Sequence, residues 1–185
     1  MQRNQGTNET LRAASEYIQL GLKVLPLHGI VDGQCTCGNH NCGPAGKHPL
    51  TKTGVKEATD DIHTVESWLR QWPWMNIGIA TGAASGIIVI DIDGETGADS
   101  LEGLEEEFYG ELPETWEQIT GGGGRHLVDK RPAKAPNKVG AAPGIDVRGD
   151  DGYIVAEPSM HASGIMYMWE AMHRPEEMEI AEYPD

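Results

Sequence analysis

The chain has 185 residues and a formal net charge of −15, from 29 acidic against 14 basic side chains. That length holds one domain with a real core rather than two comfortable ones, and that charge excludes the overall basic surface usual in nucleic-acid binders. No apolar run is long enough to cross a bilayer and MQRNQGTNET lacks the basic–apolar–small order of a secretory signal, so a cytoplasmic protein is expected.

In chain order, residues 1–8 read as a disordered start to a single domain over 9–185. A helix follows, with Thr7 or Asn8 available as its cap and Leu11, Ala14, Ser15 and Ile18 at helical spacing. LKVLPL reads as a short strand interrupted by Pro26, which has no N–H to give a ladder. Residues 29–50, rich in Gly, Cys, Asn and His, form a loop insertion unless something staples it. All three cysteines, Cys35, Cys37 and Cys42, fall in this loop. A clustered, odd set in an apparently cytosolic chain argues for metal rather than a disulfide. With His48 it makes three thiolates and one imidazole, a common structural zinc set. The Cys-x-Cys opening is tighter than the usual Cys-x₂-Cys, and His40 competes as fourth ligand.

A second helix is predicted over 61–71, with Ile62, Val65, Trp68 and Leu69 on one face. Of Trp68, Trp72 and Trp74, at least two are expected to pack at the core or helix end, although exposed tryptophans also stack on bases. NIGIAT and GIIVIDID read as strands joined by the turn-forming GAASG. SLEGLEEEFY, 100–109, reads as an amphipathic helix with Leu101, Leu104 and Phe108 inward and Glu105 to Glu107 solvated. WEQIT, RHLV, GIDVR, GYIVAE and IMYMWE follow as short strands. Three helices against seven or so strands predict an α+β domain with helices packed on sheet.

Three stretches carry chemistry beyond the cysteine loop. In IIVIDIDG, Asp91 and Asp93 share one side of a strand, because side chains alternate. Two carboxylates side by side repel unless a cation or water reaches both, and carboxylates are hard ligands suited to Mg²⁺ or Mn²⁺. The plainer reading is an Asx-type turn before Gly94. In ITGGGGRHLV, glycines such as Gly123 and Gly124 offer backbone N–H donors to a phosphate, with Arg125 and His126 beside them. A flexible hairpin tip is the alternative. In PGIDVRGDDGYIVAEPS, Asp146 and Arg148 share a face, either as a surface ion pair or as a third metal carboxylate beside a phosphate-binding arginine.

Taken in order, GLKVLPL, CTCGNHNCGPAGKHP, NIGIATG, IIVIDIDG, TGGGGRHL and GIDVRGDDGYIVAEPS resemble the bifunctional DNA primase/polymerase (prim-pol) family of the archaeo-eukaryotic primase superfamily. The resemblance implies an RRM-like catalytic core packed with a further α/β unit, with a zinc-stapled loop. It implies that Asp91, Asp93 and Asp146 chelate two divalent cations, Mg or Mn. His126 would touch the phosphates of the incoming nucleotide, with Arg125, Arg148, Gly123 and Gly124 as further contacts. One structural zinc would sit in the cysteine loop. Nucleoside triphosphates and a single-stranded DNA template and primer would be the partners, with no membrane. Such domains are commonly the N-terminal part of a longer replication protein carrying a helicase module, in a prokaryotic host and often encoded by a phage or plasmid. The sequence departs from the pattern at Asp129, soon after RHL, and at Glu157 in VAEPS. Clustering of Arg125, Lys130, Arg131, Lys134, Lys138 and Arg148 tempers the acidic total. Two rivals remain at this stage: a DxD metal-dependent glycosyltransferase, and a non-catalytic zinc-containing module that binds nucleic acid or protein.

Overall fold

The computed structural model describes residues 2–183, and the side chains of 2–5, 108 and 109 lie outside that description, including the inward position expected of Phe108. Its elements run α1 (Gln2–Gln19), β1 (Val24–Leu27), β2 (Ile30–Val31), β3 (Gln34–Cys35), α2 (Ile62–Gln71), β4 (Asn76–Ala80), β5 (Ile87–Ile92), α3 (Gly94–Leu104), β6 (Trp116–Ile119), β7 (Arg125–Lys130), β8 (Lys138–Ala142), β9 (Ile145–Arg148), β10 (Tyr153–Ala156) and β11 (Met168–Trp169). The fold is mixed α+β, as the pattern of elements predicts. Strands β1-β4-β10 make a three-stranded sheet, β11-β6-β7-β5-β9-β8 a six-stranded one, and β2-β3 a small hairpin inside the cysteine loop.

Three expectations need correcting. Helix α1 begins at Gln2, so the predicted disordered start is helical and Thr7 and Asn8 sit inside the helix, not at its cap. Pro26 does not interrupt β1. It pairs with Ile77 across β4 on one side, and β1 is an edge strand, where a missing N–H costs no ladder bond. The third helix starts directly after Asp93, six residues earlier than the apolar spacing indicates, and closes in a π-helical turn over Glu105–Tyr109. Gly94, Thr96 and Gly97 are poor helix formers, which hid its first turn. Gly97 is there for another reason: a Cβ at that position would lie 2.4 Å from the Gly144 carbonyl oxygen, so only glycine lets α3 come down onto the sheet.

Helix α2 matches the expected span. Asp61 caps it, its carboxylate accepting the His63 N–H at 3.1 Å and the Thr64 hydroxyl at 2.6 Å, a cap of the kind that contributes about 1 kcal/mol. Its Val65 and Leu69 join Ala13, Ala14 and Tyr17 of α1, Ile77 and Ile79 of β4, Ile87 and Val89 of β5, and Trp116, Val128 and Ile154 in the main core. Burying each of the larger aliphatics contributes roughly 1.5–3 kcal/mol. On the opposite face of the six-stranded sheet, Leu101 of α3 covers Ile90, Ile92 and Ile145. Strands β4 and β5, though joined by a short glycine turn, do not pair; the turn carries the chain from one sheet to the other.

Candidate catalytic cleft and zinc loop

Strand β5 lies between β7 and β9, both antiparallel to it. The register sets Asp91 opposite His126 on one side and opposite Asp146 on the other, and on the next strand out Gln118 stands opposite His126. Gln118, His126, Asp91 and Asp146 therefore form one row across four strands, on one face of the sheet. Further along that face Ile87 and Val89 are sealed into the core; past Asp91 the core ends and a cleft of about 280 Å³ opens, lined by Asp91, Asp93, His126 and Arg148 among others. The sheet thus converts a sequence alternation into a polar row at the border of an apolar core.

Electrostatics hold the row together. His126 Nε2 lies 3.3 Å from Asp91 Oδ1. Arg148 Nη2 donates to Asp91 Oδ2 at 2.9 Å and to Asp146 Oδ2 at 2.7 Å, so one guanidinium nitrogen supplies the positive charge shared by both carboxylates. Asp146 also accepts the Gly140 N–H at 2.7 Å. Burial alone would raise the Asp91 pKa; hydrogen bonds and charge interactions, from His126 first and then Arg148, outweigh it and hold the carboxyl at about 2. Asp93 is exposed and stands at the N-cap of α3 without a side-chain cap bond, leaving both its oxygens open to the cleft. Asp91 and Asp146, on neighbouring strands, and Asp93, just past the end of β5, offer the hard oxygen ligands that divalent cations take; here Arg148 stands between Asp91 and Asp146, and among the described residues the three carboxylates do not close into a ligand cluster.

Several predicted contacts lie elsewhere. Arg125, one residue before His126, projects to the other face of β7 and pairs with Glu117 at 3.5 Å. The N–H groups of Gly123 and Gly124 are engaged inside the hairpin turn, bonded to the Thr120 carbonyl at 3.1 Å and the Thr120 hydroxyl at 3.0 Å. Gly124 has a steric reason to be glycine: a Cβ would meet the Ile92 carbonyl oxygen at 2.2 Å. Gly122 is the glycine that lines the cleft. Of the clustered bases, Lys130 pairs with Glu182 at 2.9 Å and Arg131 with Asp150 at 2.8 Å, while Lys134 and Lys138 border an apolar groove on the α3 side of the sheet.

Other cleft residues carried no sequence signal. Lys47 reaches the cleft from the cysteine loop and has no ion-pair partner among the described residues; its carbonyl accepts the Tyr153 hydroxyl at 3.1 Å. Tyr167 packs beside His126, ring centroids 6.3 Å apart. Burial, with Asp91 and Asp93 close by, pushes its pKa up, which keeps its hydroxyl a neutral donor. Glu157 acts as a bracket: its carboxylate accepts the Trp169 N–H at 2.6 Å and its carbonyl the Tyr17 hydroxyl at 2.7 Å. Asp129 faces away from His126's neighbours into a buried position, where desolvation pushes its pKa up to about 7 against a hydrogen bond from Thr115.

The cysteine loop forms a second centre. The ligand atoms of Cys35, Cys37, Cys42 and His48 all lie within 4.8 Å of one another, with His48 Nε2 3.3 Å from the Cys35 sulfur and 3.4 Å from that of Cys42. Bonds of about 2.3 Å to sulfur and about 2.0 Å to nitrogen put tetrahedral ligands roughly 3.5–3.8 Å apart, so the set fits zinc. His48, not His40, completes it; His40 is exposed outside the cluster. Burial opposes ionisation of Cys35, but N–H groups of Cys37 and Gly46 and the His48 ring outweigh it and bring the thiol to about 6. Desolvation and the adjoining Cys37 and Cys35 sulfurs push Cys42 up to about 12. The full thiolate set thus calls for a cation among the sulfurs. His48 stacks on His28 at 4.2 Å, and His28 on the exposed Trp74 at 6.3 Å, whereas Trp68 and Trp72 pack against the core.

The order of these features is that of a known family. Residues 14–185 match the family model of the N-terminal bifunctional DNA primase/polymerase domain. The chain belongs to the prim-pol family. Among curated proteins, none matches it. A prim-pol domain implies DNA primase/polymerase chemistry, a nucleotidyl transfer, and hence binding of nucleotides and DNA. Among the described residues no helix is long and apolar enough to cross a membrane.

Proposed function

We propose that this prim-pol domain carries out template-directed nucleotidyl transfer, making or extending primers on single-stranded DNA, at the row His126–Asp91–Asp146. The observation that carries this reading is the cross-strand register that sets an imidazole and two carboxylates side by side at the mouth of a cleft, with Asp93 beyond. Asp91, Asp93 and Asp146 hold two divalent cations, Mg or Mn. Bound there, such cations activate a primer 3′-hydroxyl and neutralise charge on the triphosphate and the leaving pyrophosphate. Arg148, released from Asp91 and Asp146, turns its fork towards the phosphates, a geometry guanidinium suits. His126 donates from Nε2 to the same phosphates, and Lys47 meets them from the opposite wall. The carboxylates ride on strands because a rigid sheet fixes their spacing better than a loop does.

The acidic total of the chain accords with weak template affinity in isolation, since duplex and single-strand binding scale with neutralised phosphates. Incorporation of labelled nucleotides on a single-stranded template, with Mg²⁺ or Mn²⁺, tests the reading. Template-dependent product that disappears in Asp91→Ala supports it, and product without added primer makes the domain a primase. Activity retained in a folded Asp91→Ala protein would remove the cation-holding role of the row.

A further inference from the structure

Gln118 is wholly buried at the back of the cleft, and its amide makes three bonds. Its Oε1 accepts the Glu157 N–H at 2.9 Å, and its Nε2 donates to the Val155 carbonyl at 2.8 Å and to His126 Nδ1, also at 2.8 Å. A backbone N–H only donates and a carbonyl only accepts. Glu157 and Val155 therefore determine which end of the amide is oxygen and which is NH₂ without any reference to the histidine. The remaining amide hydrogen points at Nδ1, which receives it with a lone pair. In the neutral ring the proton then resides on Nε2, the nitrogen that faces Asp91 and the cleft.

We propose that Gln118 is a positioning residue that holds His126 as its Nε2–H tautomer. The group that faces Nε2 is an acceptor: the Asp91 carboxylate in the structure and, on the function proposed above, the triphosphate oxygens. The Nδ1–H tautomer would turn a lone pair towards them and repel both. No other polar side chain hydrogen-bonds Nδ1 among the described residues, so removing the Gln118 amide leaves only Asp91 to bias the ring and lets the Nδ1–H tautomer become populated. The inference rests on the proposed function for the phosphate contact, but the tautomer itself stands or falls without it.

The test uses the full chain with ¹⁵N-labelled histidine. Long-range proton–nitrogen spectra distinguish a protonated ring nitrogen from a bare one, and the His126 signals are assigned by their loss in His126→Ala. The wild type is expected to show Nδ1 bare and Nε2 protonated; a proton on Nδ1 overturns the proposal whatever the enzyme does. Gln118→Met, similar in length and without a donor, is expected to give a tautomer mixture and a rise on the order of tenfold in nucleotide KM, with single-stranded DNA affinity unchanged. Gln118→Glu, an acceptor facing Nδ1, is expected to place a proton on Nδ1 and raise KM further. A folded Gln118→Met with unaltered tautomer, or with an altered tautomer and unaltered KM, refutes the positioning role. If Gln118→Met does not fold, the wild-type spectrum and Gln118→Glu still decide. A wild type with the expected tautomer and no nucleotide incorporation would instead count against the proposed function alone.

Discussion

The cysteine loop and the carboxylate row are two clusters of ligand-type side chains built in opposite ways. The loop draws its four ligands from fourteen consecutive residues, Cys35 to His48, on a segment whose regular structure is the two-residue hairpin β2-β3. The row draws His126, Asp91 and Asp146 from β7, β5 and β9, each held by ladder pairing and by ion pairs within the protein, with Gln118 of β6 hydrogen-bonded at its end. The thiols of the loop crowd like charges together; the aspartates of the row have Arg148 between them. A cluster of the first kind takes its order from any metal it binds, and one of the second kind is ordered in advance by its own ion pairs.

Substitutions break or sharpen that contrast, beginning with the largest effect. Asp91→Ala is expected to bring nucleotide incorporation below detection while far-ultraviolet dichroism and a cooperative thermal transition are kept, the midpoint falling by a few °C as the ionised carboxylate's contribution is lost. Loss of fold together with activity would mean the row is structural in the way the loop is. Next, stripping zinc with a strong chelator, or Cys35→Ser, is expected to lower the thermal midpoint by several °C and to release amide protection across 29–50 while β5, β7 and β9 keep theirs. Elemental analysis of the untreated protein is expected to return about one zinc per chain.

Smaller effects come from pH. Asp91 has a depressed pKa, about 2, so its ionised form favours the folded state. That contribution is fully present above its unfolded value near 4 and fades as pH falls through 2. Asp129 has the opposite sign: with a folded pKa near 7 its neutral form favours the fold, and stability drains away as pH climbs from about 4 to about 7. Asp129→Asn is expected to stabilise the protein at pH 8 by about 1–3 kcal/mol and to do almost nothing at pH 4, read by denaturant midpoints. The smallest expected effect separates two arginines. Arg148→Ala should raise nucleotide KM on the order of tenfold, whereas Arg125→Ala, paired with Glu117 on the other face, should leave it within about twofold.

The sequence was most legible where chemistry depends on neighbours along the chain. The Cys₃His cluster, the DxD spacing, the α2 span and its apolar face all follow from spacing of a few residues. It was least legible where glycine serves two masters. The run Gly121 to Gly124 looked like a phosphate cradle, yet Gly124 is there to clear the Ile92 carbonyl and two of the N–H donors close the turn. Likewise Gly94 and Gly97 concealed the start of α3. Gln118, Lys47 and Tyr167 carried no signal at all, because nothing in WEQIT, GKHP or MYMWE marks a residue for a cleft formed by strands far apart in sequence.

By itself, then, the sequence determined the α+β composition and the Cys₃His set, since each rests on local periodicity and ligand chemistry; of the DxD pair, Asp91 lies on β5 while Asp93 falls past its end, at the N-cap of α3. The tertiary structure alone decided which groups meet: Arg125 left out, Arg148 drawn between Asp91 and Asp146, Lys47 brought in from the zinc loop, and Gln118 set against His126. The physical reason is register. A strand's side chains alternate faces, and only the pairing of β6, β7, β5 and β9 lines up residues 118, 126, 91 and 146 in one row.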